Sequence, residues 1–399
     1  MVTATLDRFR FHLLADGRLQ QRLAAIADHA PFVTAVRESA AALGIPLTQA
    51  IIEGALRPDP LGLDRFDDAP VTARDWPCTG WRPSAVITAN GTPAVDWLHF
   101  GGIRLDAPFY EESVRIARRR PFNRLVRWRT PLSTLPDHTP LAKPDGFIFH
   151  MSRCGSTLVA QMLASITRSI IVSEPAPLDA VLQIIQSRMD QSWSERRLLL
   201  QAMIGALGRD TSASGGRLFI KLDSWHTAAL PLFRAAFPDT PWVFIYRDPI
   251  EVMVSHMRMR GLQTVPGAIG SMLAVANELA PEAQVAAALA QIVEPVLAHA
   301  DHGLLIDYSH LPGAVTTRIL PHFGVSPTPD DCTAMTAKAR YDAKRPSSVF
   351  TADGVSKRAT ASAAVRAAAA IYLATPYRHL VASERAQFSK GNHARAQAR

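Results

Sequence analysis

FIFHMSRCGSTLVAQML, residues 147–163, is the stretch whose reading decides the fold. Phe147, Ile148 and Phe149 form an apolar run typical of a buried strand. Ser152 to Thr157 gather small polar residues around one glycine, and Leu158, Val159, Met162 and Leu163 then recur at helical spacing. A strand that turns through glycine into a helix leaves backbone N–H groups unpaired at the positive end of the helix dipole, so the N–H groups of Cys154 to Leu158 are expected to receive an anion such as phosphate. The loop is not a GxxxxGK[ST] triphosphate cradle: its basic residue, Arg153, precedes the only glycine, and two hydroxyls, Ser156 and Thr157, follow it.

From residue 145 onward strands and helices alternate, which predicts an α/β domain, a parallel sheet flanked by crossover helices. Strands are expected at 146–150, 170–173, 217–221, 242–246 and 303–307. Helices are expected near 156–166, 178–188, 193–208, 226–236, 249–259, 281–299, 311–323 and 360–373. The fourth strand delivers Arg247, and Asp248-Pro249-Ile250-Glu251 reads as an N-cap, a first-turn proline and a capping-box glutamate. Ser255 follows two helical turns later, so one anion is expected to touch both Arg247 and Ser255.

The segments before this half differ in character. Residues 6–57 carry the spacing of two or three amphipathic helices, with FxxxLLADGRLQQRLAAIAD followed by FVTAVRESAAALGIPLTQ. This pattern resembles the helical leader-type domain of some modified-peptide precursors, but a packing or dimerising cap is the simpler reading, because such helices are common. Residues 57–75 read as a linker. The hairpin signal Asn90-Gly91 lies between apolar runs at 84–88 and 94–98, with Thr92-Pro93 expected to lengthen the turn. Trp76, Trp81, Trp97, Phe100 and Phe109 mark a small packed domain or a substrate-facing wall. Residues 110–120 read as a helix, and 130–144 as a proline-punctuated connection. The expected domains are thus 1–57 helical, 58–140 linker and small β-containing piece, 141–389 catalytic, and 390–399 a basic tail.

Composition narrows the function classes. The chain has 399 residues, 48% hydrophobic content and a formal net charge of +8, which suits an anionic ligand. Its basic patches do not by themselves point to nucleic acid. Cys78, Cys154 and Cys332 are too scattered for a disulfide framework or a CxxC metal pair. No stretch reads as a membrane span, so a cytoplasmic protein that requires neither metal nor membrane is expected.

The RCGST turn, followed about ninety residues later by YRDPIEVMVS, resembles the sulfotransferases that use 3′-phosphoadenosine 5′-phosphosulfate (PAPS). The resemblance covers residues 145–256. It implies that Arg153, Cys154, Gly155, Ser156, Thr157 and Leu158 hold the 5′-phosphosulfate and that Arg247 and Ser255 hold the 3′-phosphate. Lys357 and Arg358, in TADGVSKRAT, resemble the late basic loop that closes over that phosphate. The cytosolic small-molecule branch has a loop lysine and a Lys-Thr-His strand end. This chain has Arg153 and Lys221-Leu222-Asp223 instead, closer to the tyrosylprotein-type branch. In that branch a glutamate after the second strand is the base and a strand-end lysine is catalytic, which implies Glu174, twenty-one residues after Arg153, and Lys221.

The chemistry suits these residue types. Sulfuryl transfer spreads charge over peripheral oxygens and onto the leaving phosphate, so placed cations such as Arg153 and Lys221 stabilise it. The acceptor hydroxyl must shed a proton, which a carboxylate can take if its pKa rises toward neutrality. Glu174 is that carboxylate and Asp223 the reserve; His150 and His226 read as structural, and Cys154 as a small filler. The acceptor is a hydroxyl of a peptide or a small metabolite. Two other readings stay open: a nucleotide-dependent kinase, disfavoured by the missing GK[ST], and a non-catalytic peptide-binding scaffold.

Overall fold

A computed structural model describes residues 2–61, 76–77, 79–139, 142–188, 190–209, 215–300, 302–349, 351 and 353–397. Cys78, most of the 57–75 linker, the 140/141 domain boundary, residues 210–214 and the end of the basic tail lie outside these residues. The chain divides into two compact units. One comprises residues 1–142, 175–181 and 198–214; the other comprises 143–174, 182–197 and 215–399.

The first unit opens with four helices rather than two or three: α1 (Val2–Ala15), α2 (Gly17–Ala24), α3 (His29–Ala42) and α4 (Gln49–Ala55). The extra division comes from caps: Asp16 accepts the N–H groups of Arg18 and Leu19, and Thr48 accepts that of Ile51. An antiparallel sheet follows, β1 (Trp81–Ala89), β2 (Thr92–His99) and β3 (Trp128–Pro131). Its hairpin corrects the sequence reading, because Ala89 pairs with Thr92 and the turn is only Asn90-Gly91, at φ 48° and 75°. Two left-handed residues suit the twist of the strands, so Thr92 and Pro93 can join β2. The aromatic segment is core rather than wall: Trp81 and Trp97 are fully buried, and Trp81 meets Trp128 edge-on at 5.1 Å. The Trp81 indole N–H donates to Gln20 at 2.8 Å, and α5 (Tyr110–Arg119) lies between β2 and β3 in the chain.

The second unit holds five parallel strands, β4 (Gly146–His150), β5 (Ser169–Ser173), β6 (Arg217–Lys221), β7 (Trp242–Tyr246) and β8 (Leu304–Asp307), in the order β5-β6-β4-β7-β8. All five fall within a residue of the expected positions. The longer helices along this part of the chain are α6 (Ser156–Ala164), α7 (Ala176–Ser187), α8 (Trp193–Leu207), α9 (Pro249–Arg258), α10 (Pro281–Leu297), α11 (Gly354–Thr360), α12 (Ala363–Tyr372) and α13 (Ala374–Gln397). Residues of α7 and α8 are divided between the two units. The sheet is buried through β4, where Phe147, Ile148 and Phe149 are at most 2% exposed, each contributing about 1.5–3 kcal/mol of transfer energy. The strand order reverses at β4, and in such sheets ligands sit in the crevice outside the carboxyl ends at the reversal.

Several expected elements change. Residues 226–236 begin as a 3-10 turn, Ser224–Ala229, before a short helix, and 311–323 is a π-helical turn at Val315–Ile319 rather than one long helix. Pro312 and Pro321 lack the N–H donors that a regular helix there would use. The segment 390–397 continues α13 rather than forming a separate tail. Among the described residues, no helix is long and apolar enough to cross a membrane.

Candidate active site

The turn after β4 is held by backbone conformations that side chains rarely adopt. Ser152, Arg153 and Gly155 all have positive φ, at 75°, 51° and 86°. Gly155 is the N-cap of α6, and a Cβ there would meet the Tyr308 ring at 2.8 Å, so glycine is needed for space as well as for φ. Gln263 donates to Ser152 Oγ at 2.8 Å, and Arg153 donates to the Met259 carbonyl at 3.1 Å, which ties the turn to the segment after α9. Ser156 and Thr157 are buried in the first turn of α6, with Leu158 half-buried beside them. Cys154 is fully buried, its thiol donating to the Ile245 carbonyl at 3.0 Å, and burial pushes its pKa up to about 11. A filler role follows and thiolate chemistry does not.

Glu174 and Lys221 meet at the carboxyl ends of β5 and β6. The Lys221 ammonium, wholly buried, contacts Glu174 Oε1, and the Glu174 amide donates to the Lys221 carbonyl at 2.7 Å. Glu174 is itself left-handed, at φ 49°. His150 Nε2 lies 3.3 Å from the same Oε1. Burial opposes ionisation of Glu174, but the Lys221 charge and the His150 contact outweigh it and hold the carboxyl below its ordinary range. The upward shift expected from the sequence is therefore not found while Lys221 sits on the carboxylate. Asp223 is engaged elsewhere, capping the 224–229 turn in a reciprocal capping box with His226.

A second cationic cluster forms around Arg247. Its Nε donates to Glu251 at 2.6 Å, its terminal nitrogen donates to Asp353 at 2.9 Å, and its guanidinium lies 4.0 Å from the centre of the Tyr308 ring. Lys357 reaches the same Asp353 at 2.8 Å, and Arg358 contacts Glu251. Three cations thus share two carboxylates, an excess that suits a phosphate. Asp248 caps α9 as expected, accepting from Ile250 at 2.9 Å and Glu251 at 3.2 Å. Glu251 does not complete a capping box, because its carboxylate is drawn to Arg247 and Arg358. Ser255 stands half-buried on α9.

Sequence reasoning passed over Lys344 and His256. Lys344, in the turn of the hairpin formed by Tyr341–Asp342 and Arg345–Val349, is exposed to solvent yet crowded by neighbouring protein, and that partial desolvation, with the charges of Arg153 and Lys221, lowers its pKa. No motif announces it; only the long-range fold brings it there. His256 is fully buried, accepts the Gly261 N–H at 3.2 Å, and has its pKa lowered to about 3 by burial and by Arg153.

Residues 144–330 match the model of the sulfotransferase family. No curated protein matches the chain. Three solved structures are similar to it. The sulfotransferase domain from the curacin biosynthetic pathway is 15% identical with a TM-score of 0.38, over 58% of this chain and 98% of that one. Sulfotransferase STF9 from Mycobacterium avium is 14% identical with a TM-score of 0.37, over 61% and 78%. Sulfotransferase STF1 from Mycobacterium tuberculosis H37Rv is 16% identical with a TM-score of 0.34, over 54% and 77%.

Proposed function

We propose that the chain is a PAPS-dependent sulfotransferase that acts on a hydroxyl of a peptide or small metabolite. One observation carries this reading. Within and just beyond the segment matched by the sulfotransferase family model, two separate cation-rich sites stand at the carboxyl ends of the same sheet, one at the α6 N-terminus and one around Arg247. A donor with phosphate groups at both ends of a nucleoside needs both, whereas a simple triphosphate needs one.

Arg153, Ser156, Thr157 and the backbone N–H groups of Cys154 to Leu158 would hold the 5′ end, aided by the α6 dipole. Arg247, Ser255, Lys357 and Arg358 would hold the 3′-phosphate, which exchanges with Asp353 and Glu251 for their cations. PAPS supplies an activated sulfuryl group with a phosphate leaving group. Lys221 and Arg153 stabilise the charge that develops on the oxygens around sulfur. Moving Lys221 toward those oxygens weakens its hold on Glu174, so the carboxylate becomes more basic when a proton must be taken. Asp223, already a cap, is less free to serve. The Arg-loop and Glu-base pattern is that of the tyrosylprotein-type branch.

A thermal-shift comparison tests the donor site. PAP (3′-phosphoadenosine 5′-phosphate), the product nucleotide, should raise Tm and ATP with magnesium should not, because ligand linkage makes even modest affinity visible. Transfer of label from PAPS to a hydroxyl acceptor would complete the demonstration. Magnesium-dependent ATP consumption without such transfer would replace this reading by a kinase.

A further inference from the structure

His150 closes β4, the central strand, with its side chain 7% exposed. Its Nδ1 accepts the Ser152 N–H at 3.0 Å, so a neutral ring carries its proton on Nε2. That Nε2 lies 3.3 Å from Glu174 Oε1, the oxygen that Lys221 also contacts; this is ion-pair distance without hydrogen-bond geometry, and among the described residues Nε2 has no hydrogen-bond partner. Among the described residues, Glu174 Oε2 takes no hydrogen bond or ion pair. The Glu174 side chain keeps 22% of its exposure while the Lys221 side chain keeps none, so of the pair only the glutamate meets solvent.

We propose that His150 is a positioning residue: a small turn of its ring brings Nε2–H onto Glu174 Oε1, where Lys221 rests in the ligand-free chain, and leaves Oε2 as the atom that takes the acceptor's proton. The inference rests on Glu174 being the base. In the step it serves, the acceptor oxygen bonds to sulfur, the bond from sulfur to the donor's bridging oxygen breaks with its electron pair going to the departing phosphate, and the acceptor proton moves to Oε2. His150 has a second tie in the same place, since the Ser152 amide it holds belongs to one of the left-handed residues of the turn. One ring therefore sets both the anion loop and the carboxylate. Burial and Lys221 lower its pKa to about 4, so it acts as a neutral donor and orients without adding charge. The charged groups facing Glu174 are Lys221 from β6, Arg153 from the turn and Lys344 from the hairpin beyond.

Two substitutions separate orientation from scaffolding. His150→Gln can place its amide Nε2 where the imidazole Nε2 stands; His150→Asn can still accept from Ser152 but falls short of Glu174. With radiolabelled PAPS and 2-naphthol, His150→Asn should lower kcat about ten- to a hundred-fold with donor KM changed less than about twofold, the scale of a misplaced catalytic group. It should also move the acid limb of the kcat/KM profile upward, because a carboxylate that loses a donor binds protons more readily. His150→Gln should stay within about threefold of the parent. In ligand-free chain, nitrogen-15 spectra of the histidines should show His150 as the Nε2–H tautomer at pH 7. Combined with Glu174→Gln, His150→Asn should cost nothing further. An Nδ1–H tautomer, equal losses in the Asn and Gln variants, or full additivity with Glu174→Gln would each overturn the positioning role. Full turnover in Glu174→Gln alone would instead overturn the base assignment.

Discussion

Glu174 and Lys221 hold each other twice at the ends of adjacent strands, the Glu174 amide donating to the Lys221 carbonyl at 2.7 Å while the lysine's ammonium contacts Glu174 Oε1. Such a pair is costly to split, because either partner alone is a buried or half-buried charge. Lys221→Ala should lose about 3–5 kcal/mol in urea unfolding, and pairing Lys221→Met with Glu174→Gln should recover most of it. Equal stability of the single and double variants would show that the pair is not coupled.

Acid sensitivity should begin well above the carboxylate range. His150 and His256 have folded pKa values lowered from 6.5 to about 4 and about 3, chiefly by burial, so the unfolded chain binds their protons first as pH falls. Stability should therefore be complete above pH 6.5 and decline below it, by about 1.4 kcal/mol per pH unit for each imidazole. Glu174 and Asp331, the latter lowered from 3.8 to about 2 by the Thr167 and Thr328 amides, add their loss below pH 4.5. Urea titrations from pH 7 to 4 check the slope, and His256→Gln should reduce it by about half.

Arg247→Ala should weaken PAP by about ten- to a hundred-fold while leaving 5′-AMP nearly unchanged, since only PAP carries the 3′-phosphate. Calorimetry with both nucleotides separates the cases. Equal weakening of both would place Arg247 away from the 3′ end.

Cys154 should resist iodoacetamide in the folded chain and react only after denaturation, because its thiol is buried and its pKa raised. Peptide mass spectrometry before and after unfolding reads this directly.

Much of the parallel-sheet half is legible in the sequence because β4 to β8 are short apolar runs bounded by turn signals, and a buried parallel strand can hardly be written otherwise. The helix Pro329–Ala339 escapes such a reading because, apart from Met335, it buries almost no large apolar side chain and so carries no stripe. The end of α13 reads as a tail for a similar reason, its charged residues hiding a helix that buries Leu380 and Glu384. At the site, Arg153 and Arg247 sit in local motifs, but His150 owes its importance to Glu174 and Lys344 owes its own to Arg153 and Lys221. Partnerships across strands leave no spacing to read. Lys357 and Arg358, suggested only by a loose resemblance, share Asp353 and Glu251 with Arg247, a juxtaposition that no local spacing announces.

The left-handed backbone at Arg153 sets stability against chemistry. An arginine at φ 51° costs about 1 kcal/mol that glycine would not, and in return its guanidinium donates to the Met259 carbonyl. A laboratory search for heat-resistant variants of this chain should therefore enrich Arg153→Gly, gaining a few degrees of Tm while losing affinity for the donor. Selection on folding alone would thus remove the charge that donor binding, as proposed, depends on.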